Sequence, residues 1–325
     1  MSRSLIAALS GLISLAIAAP VYACDQCACP FRSKASTAGG PTIVTPNAST
    51  MGRGRGSIGF LFEHQRYNTI PADDAEQFHH QGNDVHGKNH EEIYQVAAGY
   101  GLTKDLDLYV ALPLVFRSSH NIEDDDALGA DERSEGVGDL RVMAKYRVWD
   151  EGVDASLLAG VKAPTGETSD RNRSGEKFEA EMQPGSGAWD VTLGMAASRR
   201  LVGRLSLASA FQYTYRGEGA QDEKLGNVMR SDLGLSFGLT PVGRYPNVSA
   251  VLELQHQYAF RDRARDDRKV LASGGTTVLL SPGVSAALSE SLEMYAAMPI
   301  PVYQNLGGEH EELKYEVISG MAVHF

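Results

Sequence analysis

From about Gly56 to Phe325, apolar and polar residues alternate along segments of 10 to 15 residues. Leu106, Leu108, Val110, Leu112 and Leu114 share one parity, and Asp107, Tyr109 and Ala111 take the other. Val191, Leu193, Met195 and Ala197 likewise oppose Asp190, Thr192, Gly194 and Ser198, and Leu233, Leu235, Phe237 and Leu239 oppose Asp232, Gly234, Ser236 and Thr240. A period of two is the signature of a strand with one apolar face. It predicts twelve strands, at 56–67, 91–102, 106–119, 136–149, 154–165, 187–201, 205–217, 229–241, 247–261, 272–288, 291–303 and 313–325.

The gaps between these strands are alternately short and long. Thr103-Lys104-Asp105, Val202-Gly203-Arg204 and Ser289-Glu290 are tight turns, whereas 68–90, 120–135, 166–186, 218–228, 262–271 and 304–312 are long and polar. An even number of strands with loops sorted in this way matches an all-β transmembrane antiparallel barrel, with short turns in the periplasm and long loops outside. No stretch reaches the roughly 20 consecutive apolar residues that a spanning helix needs, but barrel strands cross with about 9 to 11.

Aromatic positions agree. Phe116, Tyr213, Tyr215, Tyr258, Phe260 and Tyr315 share the apolar parity next to long loops, and Tyr100, Tyr146 and Phe325 do so near short turns. Amphipathic rings at both ends of an apolar band are the girdles of a membrane barrel. The final strand is apolar at alternate positions and ends on Phe325, as the outer-membrane assembly machinery reads. Pro113, Pro299 and Pro301 each remove a ladder donor, so bends or bulges are expected there.

Ahead of the barrel, residues 1–23 read as a secretory signal: Arg3, an apolar run over Leu5–Ala19, and Val21-Tyr22-Ala23 before the cut. A lipoprotein signal, with Cys24 acylated, is the alternative. Residues 24–55 then form a periplasmic, Cys-containing tail or plug, and the expected location is the outer membrane. Loss of the leader leaves 29 basic and 41 acidic residues, a formal charge of −12, which argues against nucleic acid as a partner.

Strand parity assigns an inward polar set: Glu63, Gln65, Gln95, Arg141, Lys145, Arg147, Lys162, Asp190, Gln212, Glu253, Gln255, Gln257, Lys314 and Glu316. Eight strands enclose little more than their side chains, and sixteen leave an aqueous channel. Twelve leave room for a narrow pore or pocket, or for a lumen filled by its own salt bridges or by residues 30–55.

Cys24, Cys27 and Cys29 can hold copper(I) or zinc through thiolates, or form a disulfide with one thiol over. His79, His80, His86 and His90 crowd the first long loop, either as a divalent-metal site or as a solvated stretch. Asp124, Asp126, Gly129 and Glu135 echo a calcium loop, but Leu128 stands where an oxygen ligand belongs. Such acidic loops suit bridging to lipopolysaccharide through cations. No arrangement of Ser, His and Asp forms a recognisable catalytic motif, and no cofactor is implied.

Several short motifs resemble one family in order and spacing. They are Gly136-Val137-Gly138-Asp139-Leu140 with Lys145-Tyr146, Lys162-Ala163-Pro164-Thr165-Gly166, Gly274-Gly275 into Leu280-Ser281-Pro282-Gly283, Pro301-Val302-Tyr303-Gln304, and Gly320 near the terminal Phe. Together they resemble the family called the putative meta-pathway of phenol degradation, across roughly residues 56–325. The resemblance implies a transporter-like outer-membrane barrel concerned with aromatic compounds, and assigns no functional residues. The function expected is passive passage of a small solute, aromatic or hydrophobic. The alternative is a non-conducting binding or structural barrel, linked to metal handling through the N-terminal cysteines.

Overall fold

In a computed structural model the described residues are 40–325, apart from 69–86, 121–130, 174, 179, 242, 265–267, 271–272 and 308–311. They contain fourteen strands: β1 (Gly56–Tyr67), β2 (Gly87–Gly101), β3 (Leu106–His120), β4 (Asp131–Val137), β5 (Leu140–Trp149), β6 (Asp154–Ala163), β7 (Asp190–Val202), β8 (Leu205–Arg216), β9 (Val228–Gly238), β10 (Asn247–Ala259), β11 (Gly275–Ala287), β12 (Leu292–Ala297), β13 (Ile300–Leu306) and β14 (Leu313–His324). Neighbours pair antiparallel throughout, and β14 returns to β1 with Ser57 opposite His324 and Gln65 opposite Glu316. The sheet therefore closes into a barrel, within which, among the described residues, β4 pairs only with β3 and β13 only with β11.

Twelve staves make up that barrel, because two staves are each built from two strands. β3 pairs with both β4 and β5, and β11 with both β12 and β13. Prolines sit opposite or inside both breaks. Pro113 lies between the pairs Ala111↔Arg141 and Leu114↔Val137, and its carbonyl accepts the Gly138 N–H at 2.9 Å. Pro299 occupies the gap between β12 and β13, where its carbonyl accepts the Glu316 N–H at 2.9 Å. Pro301 adjoins a register shift between Val278 and Leu279. The donors missing at Pro113 and Pro301 fall where one strand carries an extra residue, as expected of bulges, whereas at Pro299 two residues face two across the gap between β12 and β13.

Two hairpins extend further than the hydrophobic pattern predicts. Gly87 of β2 pairs with His120 of β3, and His120 pairs with Asp131 of β4. These ends carry polar residues on both faces, so the period-two signal stops while the ladder continues. Across the band itself the pattern holds. Val96, Leu112, Leu193, Leu233 and Met294 are exposed on the outside, whereas Glu63, Gln95, Asp107 and Glu253 are buried inside. A continuous outward apolar band of this size is a lipid-facing surface. T-shaped ring pairs mark its outer end, Tyr94 with Phe116 at 5.7 Å and Tyr258 with Phe260 at 5.0 Å. The chain is an outer-membrane β-barrel.

Candidate functional site: the lumen and its two inserts

Where the ladder is regular, the residues assigned inward are buried or half-buried within the barrel. Glu63, Gln95, Lys145, Asp190, Glu253, Gln255 and Glu316 are all buried. Gln65 donates Nε2 to Glu63 Oε1 at 2.7 Å and accepts the Tyr67 hydroxyl at 2.5 Å, and Gln255 donates to Ser281 Oγ at 2.6 Å. Lys162 joins β6 to β7 through Asp190 at 2.5 Å. Arg141 is half-buried opposite Lys162. Arg147 lies at the periplasmic rim, where Nε and Nη2 reach Asp105 Oδ1 at 3.1 and 2.8 Å. That hydrogen bond holds the Asp105 carboxyl below its usual range.

Lys314 does not belong to the buried lining. It is exposed, and Leu313 beside it is buried with Tyr67 and Leu279. The register shifts between Arg66 and Tyr67, so simple parity fails at this end of β14. Leu313, assigned by alternation to the outer face, turns inward for the same reason.

The lumen is not filled by wall side chains alone. Residues 40–51 run inside it along the periplasmic half, gripped mainly through their backbone. Glu253 accepts the N–H groups of Ile43, Val44 and Thr45 at 3.1, 3.0 and 2.7 Å. Ser198 Oγ accepts the Ala48 N–H at 3.0 Å, and Ser156 Oγ donates to the Ala48 carbonyl at 2.5 Å. Lys145 Nζ reaches the Asn47 carbonyl at 3.3 Å, Asp154 accepts the Ser49 hydroxyl at 2.6 Å, and Asp107 Oδ2 accepts the Met51 N–H at 2.9 Å. Ile43 and Val44 pack into one cluster with Leu61, Val251, Tyr295 and Ile318, while Ala48 packs on Leu158, Ala196 and Ala210.

Inward glycines make this fit possible. A Cβ on Gly283 would lie 2.6 Å from Ile43 Cδ1, one on Gly99 2.6 Å from Met51 Cε, and one on Gly101 2.0 Å from the Gly52 carbonyl oxygen. Beside Pro41 a cavity of about 190 Å³ remains, lined by Asn247, Ser249, Glu293 and His324 among others.

The outer half holds a second insert, the loop 164–189 between β6 and β7. Arg117 is fully buried; its Nε pairs with Glu91 Oε2 at 2.7 Å and its Nη1 donates to the Gln183 carbonyl. Gln183 in turn donates to the carbonyls of Asp170 and Phe178 at 3.0 and 2.8 Å. Asp139, freed from the ladder at the β4–β5 break, clamps the loop. Its carboxylate accepts the N–H groups of Gly166 and Ser186, both at 2.9 Å, and the Ser186 hydroxyl at 2.8 Å.

Sequence reasoning missed the path of residues 40–51, the acceptors Asp107, Asp154 and Ser198, and the Arg117–Glu91 pair. One signal was available: glycine at inward positions of otherwise regular strands, where a side chain would normally fill space. Cys24, Cys27, Cys29, His79, His80, His86 and Asp124–Gly129 lie outside the described residues. His90 is described, and its ring stacks on that of His64 at 5.9 Å.

No curated protein matches the chain. Among solved structures, the COG4313 outer membrane channel from Pseudomonas putida F1 is similar at 16% identity and TM-score 0.64, over 87% of this chain and all of that one. The NanC porin is 8% identical with TM-score 0.45, over 81% of this chain and 98% of that one. At 16% identity the likeness to the COG4313 channel shows the fold alone. The sequence profile of the family described as "Putative MetA-pathway of phenol degradation" matches residues 91–298, and by that match the chain belongs to this family.

Proposed function

We propose that the barrel is an outer-membrane channel for passive passage of a small solute, and that residues 40–51 hold it shut in the conformation described. The observation that carries this reading is the nature of the filling. The wall leaves a space wide enough to admit a peptide segment, whose cross-section is roughly 5 by 10 Å, and that segment is no part of the ladder. Withdrawn, it leaves a passage of comparable width through the periplasmic half, lined by inward polar residues, with loop 164–189 as the remaining constriction. The family's description favours an aromatic or weakly polar solute, and the cluster of Leu61, Val251, Tyr295 and Ile318 offers such a solute an apolar strip.

No enzymatic role is needed to account for the arrangement. The test is electrical: purified protein in planar bilayers, with and without residues 40–51. The full chain should show small or intermittent currents, and the deleted chain larger, steady ones. A deleted barrel that inserts yet stays ion-tight would sink the reading in favour of a structural or binding barrel.

A further inference from the structure

The tip of the inserted segment behaves as a ligand in a built site. Three consecutive backbone N–H groups, from Ile43, Val44 and Thr45, converge on the one carboxylate of Glu253. Arg230, one strand away, directs Nη2 at the Val44 carbonyl at 3.4 Å while its Nε stays on Asp232 at 2.9 Å. Ile43 and Val44 lie against apolar groups of the wall. The wall is also cut to shape: a Cβ on Gly234 would come within 3.2 Å of Thr42 Cγ2 and of Thr45 Oγ1.

Glu253 is completely buried. Its charge is stabilised by donated hydrogens, so when the tip leaves, a carboxylate without donors is costly and recruits new ones. We infer that Glu253 and Arg230 form a solute-binding subsite of the channel, which Ile43–Thr45 occupies as a resident surrogate. Of the two solute types named above, it selects the weakly polar one over the aromatic: small and neutral, with an apolar body, clustered N–H donors on one edge and a carbonyl beside them, the chemistry of a capped aliphatic amino-acid amide. The inference rests on the channel reading above. It makes passage self-gated, because solute and tip compete for one acceptor. A tethered competitor acts at an effective concentration of the order of millimolar, so the intact chain needs more solute than a chain lacking the tip.

The experiment uses the chain without residues 40–51 in planar bilayers, with N-acetyl-valinamide as the probe. Reversible current blocks are expected. N-acetyl-valine methyl ester, which keeps the apolar body and loses the terminal amide donors, should block at concentrations about tenfold higher. Glu253→Gln in the same background should raise the blocking concentration of the amide by at least about tenfold, the loss expected when a charged acceptor is removed from a hydrogen-bonded ligand. An ion-tight deleted chain overturns the channel reading. A conducting chain with no blocks, or with blocks indifferent to Glu253→Gln, overturns the subsite alone. Should the deletion prevent folding, Thr45→Pro in the full-length chain removes one donor and leaves the wall intact. The amide should then displace the tip at lower concentration, and an unchanged concentration dependence overturns the inference.

Discussion

The two inserts fill the same barrel with similar bonds but are anchored differently. Loop 164–189 is joined to strands at both ends and fastened by ionised groups: Asp139 accepts three hydrogen bonds from it, and the buried Arg117 ties its Gln183 to Glu91. Residues 40–51 join the wall at one end, through Gly56, and are held chiefly by wall side chains on their peptide groups. Both inserts are held by charged wall groups on their peptide groups; the outer loop is also anchored in strands at both ends and tied to the buried Arg117–Glu91 pair, so we expect it to stay fixed and the inner segment to be the removable one.

The largest effect should come from breaking the fixed insert. Arg117→Met leaves Glu91 buried without its partner, and loss of one member of a buried pair costs about 3–5 kcal/mol. Urea unfolding in lipid vesicles measures it; a cost near zero would mean that the loop is no more fixed than the segment. Asp139→Ala comes next. It removes the acceptor of three hydrogen bonds at the β4–β5 break, and about 2–3 kcal/mol is expected, since bonds to a charged group carry about 1.5–3 kcal/mol each and their losses overlap. In both variants, protease cleavage within 164–189 should increase while residues 40–51 stay protected.

Glu253→Gln in the full chain sharpens the contrast from the other side. The new amide places donors against donors, so the tip loosens while the ladder is untouched. Barrel stability should change by no more than about 1 kcal/mol. A cysteine placed at Val44, by contrast, should react with a periplasmic-side thiol reagent at least tenfold faster than in the parent, a factor worth about 1.4 kcal/mol. Equal labelling rates would show that the carboxylate is not what holds the tip.

These contrasts also separate what the sequence disclosed from what it hid. The barrel was legible because lipid outside and polar groups inside impose a strict alternation on every stave, from Leu106–Leu114 to Leu233–Leu239. Even the disturbances were marked, since Pro113 and Pro301 adjoin bulges and Pro299 the break between β12 and β13. The inner segment was not legible in its path. Its bonds to Glu253, Ser198 and Asp107 use peptide N–H groups that every non-proline residue has, so Thr42–Thr45 carries no signature of its partner. The outer loop was half legible: Lys162–Gly166 stood out as a motif, yet its tie to Asp139 needed the fold to bring the two together.

The smallest effect concerns Lys314, an inward assignment that the irregular ladder does not keep. By parity, Lys314 should line the passage beside Glu316; instead the ladder slips, and the Gln304 side chain takes over the pairing. Gln304 donates Nε2 to the Leu313 carbonyl and accepts the Leu313 N–H, both at 2.9 Å, which draws Leu313 inward and leaves Lys314 exposed. Glu316, two residues on, returns to the regular ladder opposite Gln65 and is buried. Lys314→Ala should therefore alter stability by less than about 0.5 kcal/mol, as for exposed positions in general. It should also leave cation-over-anion selectivity unchanged when reversal potentials are read across a salt gradient in the deleted, conducting chain. Glu316→Gln in the same chain should move that selectivity toward anions. A shift from Lys314→Ala as large as that from Glu316→Gln would restore Lys314 to the lumen and place the bulge elsewhere.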